Sequence, residues 1–72
     1  SHLRKVIQTL RLKEPSLYTF LYQCAEHGLF DGRESKDVAA DMNMLAPNFS
    51  KKKKRLVEFL TELQAEISDF GT

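Results

Sequence analysis

One cysteine among 72 residues excludes an internal disulfide, because Cys24 has no second sulfur to join. A reducing, intracellular setting is the expectation. The two histidines, His2 and His27, stand too far apart for zinc-ligand spacing, so no metal or other cofactor is expected. No apolar run approaches the ~20 residues that cross a bilayer, and nothing resembles a signal peptide. The expectation is a soluble chain without membrane insertion, cytoplasmic, or nuclear if its source is eukaryotic. A glycine-rich phosphate loop and a strained serine turn are both missing. Alternating strand patterns, Asn-Gly hairpins and internal repeats are missing as well. What remains is an all-α chain for which no enzymatic activity is expected, and its function has to be sought in how its charges are placed.

At 42% hydrophobic and 29% charged, the composition is that of an ordinary globular chain rather than a disordered tail. Seventy-two residues make one domain, near the lower size at which a core forms without a staple. The chain begins without methionine and ends on Gly71-Thr72, which suggests a piece of a longer protein. With Ser1-His2 set aside as a cloning remnant, residues 3–70 are read as a single helical binding domain.

Leu3, Val6, Ile7 and Leu10 recur at helical spacing and predict a first helix over residues 3–12. Glu14-Pro15 interrupts it, since the residue before proline is pushed out of the α region and proline suits the first turn of a new helix. A second helix is expected from about Ser16, with Leu17, Phe20, Leu21 and Cys24 as its buried stripe. Gly28 reads as a left-handed stop, with Leu29 folding back and Phe30 plugging the core beside it. Ser35 is expected to cap a short third helix that carries Asp37 in its first turn and Val38, Ala39 and Met42 on its apolar face. Asn43 can end that helix in a left-handed conformation. After the connection Met44-Leu45-Ala46-Pro47, Asn48 or Ser50 is expected to cap a fourth helix. Its stripe of Leu56, Phe59, Leu60, Leu63, Ile67 and Phe70 is the strongest periodic signal in the chain. The predicted architecture is a small bundle of four helices, helix-turn-helix-like in its second half, with the fourth helix as the spine.

A formal net charge of +1 is too small for a general polyanion field. The charges are banded instead. Arg4, Lys5, Arg11 and Lys13 form one basic block and Lys51-Lys52-Lys53-Lys54-Arg55 a second, while Glu58, Glu62, Glu66 and Asp69 follow. This order opposes the helix macrodipole, which favours acids at the N-terminus by about 0.3–1 kcal/mol per group. Consecutive helical positions turn by about 100°, so the lysines wrap around the helix start, where unpaired N–H groups add donors for a phosphate. The alternative is a solvated surface with Lys54 and Arg55 paired to Glu58 at helical spacing. The run also resembles the basic nuclear-localisation signal of eukaryotic proteins.

Val38-Ala39 followed by Met42-Asn43-Met44 resembles the first helix and turn of a helix-turn-helix, with Phe49 as the buried residue early in a recognition helix. Asn43 stands where glycine is usual, and Lys52 where an apolar residue is expected. The resemblance covers about twenty residues, Ser35 to Leu56. It implies that Asn48, Ser50 and the first of Lys51, Lys52, Lys53 and Lys54 approach the major groove while Arg55 and Lys36 hold phosphates.

The rival expectation is a protein-binding groove floored by Tyr18, Tyr22, Phe30, Met42, Met44, Leu45 and Phe49 and rimmed by lysine, suited to an acidic amphipathic partner helix. A homodimer pairing the basic and acidic bands of two antiparallel copies is a third. Cys24 and His27, three residues apart, lack the third group and oxyanion donors of a nucleophilic site, so Cys24 is read as a small core residue. Asp31, Glu34, Asp37 and Asp41 lack a calcium-loop pattern and are read as capping and solubilising acids.

Overall fold

The computed structural model describes the backbone of residues 2–71 and the side chains of residues 2–67. The expectations for Asp69 and Phe70 therefore fall outside the described side chains. Four α-helices follow one another: α1 (His2–Lys13), α2 (Pro15–Glu26), α3 (Ser35–Asp41) and α4 (Ala46–Gly71), with one 3₁₀ turn at Leu29–Asp31. No strand occurs among the described residues. None of these helices is long and apolar enough to cross a membrane. At 1.5 Å per residue α4 is about 39 Å long, which accounts for the 41 Å long axis of the molecule.

Helices α1 and α2 meet at Glu14, whose φ of −136° and ψ of 70° break the α conformation ahead of Pro15. Glu14 still serves both neighbours, donating its N–H to the Leu10 carbonyl at 2.8 Å and accepting from the Tyr18 N–H at 3.0 Å. Pro15 takes the first position of α2, where its missing N–H costs nothing. On α1, Val6 and Leu10 are buried but Leu3 is exposed, so the predicted stripe narrows toward the N-terminus. On α2, Leu17, Phe20 and Cys24 are buried as their spacing predicts.

Gly28 adopts φ +83°, and its N–H donates to the Ala25 carbonyl, closing α2 as expected. Leu29 packs against the core. Phe30, expected in the core, is 63% exposed. The 3₁₀ turn that folds Leu29 inward turns the next side chain outward.

Ser35 was the expected cap of α3 but lies inside the helix, while Glu34 takes the cap position without a side-chain bond. The Ser35 hydroxyl oxygen instead accepts a hydrogen bond from Lys53 of the last helix. At the far end, Asn43 adopts φ +56°. The Asn43 N–H donates to the Ala40 carbonyl at 3.1 Å and the Met44 N–H to the Ala39 carbonyl at 2.9 Å, the paired bonds of a Schellman stop. Asparagine tolerates this left-handed backbone, whereas a β-branched side chain does not. Asn43→Val is therefore expected to cost about 1–2 kcal/mol and Asn43→Gly to be neutral or slightly stabilising. Urea midpoints of the two variants check this, and equal midpoints would refute the strain argument.

Helix α4 begins at Ala46, two residues ahead of the nearer predicted cap, and takes in Pro47, Asn48 and Ser50. Proline needs no N–H partner in a first turn and its fixed φ is already helical, so the helix starts before it. Phe49, Leu56 and Leu63 are buried, and Phe59, Leu60 and Ile67 pack partly buried against the same core. The predicted spine role holds, since α4 contacts α1, α2 and α3. The centre of the core is an edge-on pair, Phe20 and Phe49, with ring centroids 5.3 Å apart at 60°.

Candidate nucleic-acid interface

The early start of α4 changes the setting of the basic block. Lys51 lies five residues into the helix, about 7.5 Å along its axis from Ala46. The unpaired N–H groups of the first turn and the lysines are thus separate features, not the single combined site expected.

The five cations divide into two groups. Lys52 and Lys53 follow Phe49 by three and four residues, which places them on its side of the helix and toward the core. Both are partly buried. The Lys52 ammonium lies over the Phe20 ring, 5.5 Å from its centroid, a cation–π contact worth about 0.5–2 kcal/mol depending on desolvation. Its alkyl stem occupies the position where a helix-turn-helix carries an apolar residue. Lys53 Nζ donates to Ser35 Oγ at 3.2 Å and ties α4 to α3. Lys51, Lys54 and Arg55 rotate away and are exposed.

The predicted pairing of Lys54 and Arg55 with Glu58 is not formed. Among the described residues the ion pairs are Arg33 with Asp41 at 2.5 Å and Lys36 with Glu34 at 3.4 Å. Lys36, expected to hold phosphate, is therefore exposed but engaged with a neighbouring acid. Arg55 lines a shallow cleft of about 160 Å³ with Glu14, Leu17, Glu58, Phe59 and Glu62, a negative setting that competes for its guanidinium. Asn48 and Ser50 are exposed. A larger depression of about 380 Å³ lies between α3 and α4, lined by Ser35, Ser50, Lys53, Lys54, Val57 and Glu58.

The stretch from Ser35 to Leu56 folds as two helices joined by a short turn. Seven residues of α3 lead through Met42–Leu45 into α4, with Asn43 supplying the left-handed backbone that glycine usually provides. Val38, Ala39 and Phe49 are all buried at 2% exposure or less. All three belong to one core cluster.

The seven groove residues are not brought together. Phe49 is 1% exposed and belongs to the core, which removes it from any solvent-facing floor. Met42 and Met44 pack against the core, as does Tyr18, whose ring has the Arg11 guanidinium 5.8 Å from its centroid. Tyr22, Phe30 and Leu45 are exposed. Of the seven, only Tyr18 and Tyr22 line the depression of about 520 Å³ that also involves Arg11, Thr19 and Gln23.

Two structural contacts carried no sequence signal. Arg33 donates from Nη1 to the His27 carbonyl at 3.1 Å and to Asp41, clamping the loop onto the end of α3. The hydrogen bond from Arg33 holds the Asp41 carboxyl below its ordinary pKa. The inward position of Lys52 and Lys53, in contrast, was readable from their spacing to Phe49. Cys24 is buried, and burial pushes its thiol pKa up while the Lys53 ammonium pulls it partly back. A protonated thiol is a poor nucleophile. No group of three or more acids, histidines or cysteines among the described residues is arranged to hold a metal ion.

Compared with protein-family models, curated proteins and solved structures, the chain matches none of them.

Proposed function

We propose that the domain is a non-enzymatic DNA-binding module of helix-turn-helix type that contacts duplex phosphates through the first half of α4. The observation that carries this reading is that Lys51, Lys54 and Arg55 are exposed and in no ion pair among the described residues. They lie five to nine residues into the helix that follows the Asn43 turn. The second helix of such a motif enters the major groove by its N-terminal residues, which here are the exposed Asn48, Ser50 and Lys51. An asparagine amide suits the adenine edge, and the exposed Leu45 beside it suits a thymine methyl. Lysine is a point charge without bidentate geometry, so affinity comes mainly from the backbone and sequence preference is modest. Duplex RNA is the poorer fit, because its deep, narrow major groove excludes a helix.

An acidic amphipathic partner helix is the rival, favoured by the exposure of Tyr22, Phe30 and Leu45. An amide chemical-shift titration with a short DNA duplex at two salt concentrations separates the two. The expected result is shifts over residues 48–55 that fade as salt rises. No shifts with DNA, or shifts centred on Tyr22, Phe30 and Met44 with an acidic helical peptide, would overturn the DNA reading.

A further inference from the structure

We infer that the depression between α3 and α4 seats one backbone phosphate of the bound duplex, with Glu58 as a rim charge that holds the affinity down. The inference rests on the DNA-binding reading and assigns one contact within it. Ser50 precedes Lys53 by three residues and Lys54 by four, so the three side chains converge on one patch of α4. Ser35 faces them from α3, with its oxygen 3.2 Å from Lys53 Nζ. That bond uses one of the three ammonium protons and leaves two to donate outward. Because the Ser35 oxygen is the acceptor in that bond, its own hydroxyl proton is also available. The seat thus gathers two ammonium and two hydroxyl donors from two helices, around a space of about 380 Å³.

The internal bond matters as much as the charge. A lysine held by Ser35 has already lost much of its rotamer freedom, so less entropy is lost when an anion arrives. Two other depressions among the described residues lack this donor set. One has Arg11 as its sole cation, and the other sets three carboxylates around Arg55. Glu58 lies four residues beyond Lys54 on the rim of the seat. Its carboxylate repels a phosphate there and sets a limit on affinity.

The test is fluorescence anisotropy of a labelled DNA duplex with the wild type, Ser50→Ala, Lys54→Gln, Glu58→Gln and Glu66→Gln at ~0.1 M salt, where charges beyond about 10 Å are largely screened. Lys54 and Glu58 are exposed, so melting curves of these variants should match the wild type. Lys54→Gln is expected to bind several-fold more weakly and to flatten the salt slope by about 0.9. Ser50→Ala weakens binding less, and Glu58→Gln tightens it several-fold. Glu66→Gln, about 12 Å farther along α4, leaves it unchanged. If the wild type binds with salt dependence but Lys54→Gln and Glu58→Gln match it, the seat is refuted and the DNA reading survives. If the wild type does not bind the duplex, both fall. Inorganic phosphate that shifts the Ser50 and Lys54 amides without competing with the duplex would assign the depression to free phosphate and overturn the nucleic-acid assignment.

Discussion

Phe49→Ala is expected to remove a large share of the protein's stability, about 3–5 kcal/mol. Phe49 is 1% exposed, meets Phe20 edge-on at 5.3 Å, and is the first core residue of the helix that touches all three others. Truncating a buried phenylalanine costs about 3–5 kcal/mol. A domain of 72 residues has a total stability of about 4–11 kcal/mol at 0.05–0.15 kcal/mol per residue, so the loss takes a large share. The melting temperature should fall by at least about 12 °C, at 4 °C or more per kcal/mol. The damage extends beyond the cavity, because the Lys52 ammonium is stationed over Phe20 and loses part of its packing. Phe30→Ala is the matched control. Phe30 is 63% exposed, and surface changes of this kind stay within about 0.5 kcal/mol. Melting followed by circular dichroism decides the point, and equal shifts in the two variants would refute the assignment of Phe49 to the core.

The second large effect is on ligand affinity. On the proposed DNA-binding reading, three phosphates neutralised by Lys51, Lys54 and Arg55 would contribute about 2.7 to the slope of log affinity against log salt, at 0.9 each. Raising salt fourfold should then weaken this share of binding by about 40-fold. Replacing all three by Gln should flatten the slope by that amount and weaken binding most at low salt. The fold is expected to survive, since these side chains are exposed and in no ion pair among the described residues. Lys52→Gln should behave differently: it removes the contact over Phe20, and so is expected to lower the melting temperature more than the salt slope. Lys53→Gln removes both the bond to Ser35 and a cation of the depression, and is expected to lower both. A triple variant with an unaltered slope would show that α4 is not the binding face.

Features governed by local physics were readable in the chain. The break at Pro15, the left-handed Gly28 and Asn43, and the buried Leu56 and Leu63 follow from backbone sterics or helical period alone. The inner and outer halves of the basic block were readable too, once Phe49 is taken as the inward reference. Features that depend on a partner distant in sequence were not. Ser35 looks like a cap until Lys53, eighteen residues later, takes its oxygen. Arg33 looks like a loop cation until the fold brings Asp41 to it. Phe30 looks like a core residue because hydrophobicity alone does not say which side of a 3₁₀ turn faces out.

The run of four lysines is uniform in composition but not in position. Deleting any one of them would leave the net charge nearly unaltered, yet every residue after it would be rotated by about 100° relative to Phe49. Leu56 and Leu63, both 5% exposed or less, would swing off the core. The repeated letters therefore conceal a counted spacer, and its length is under tighter constraint than its charge.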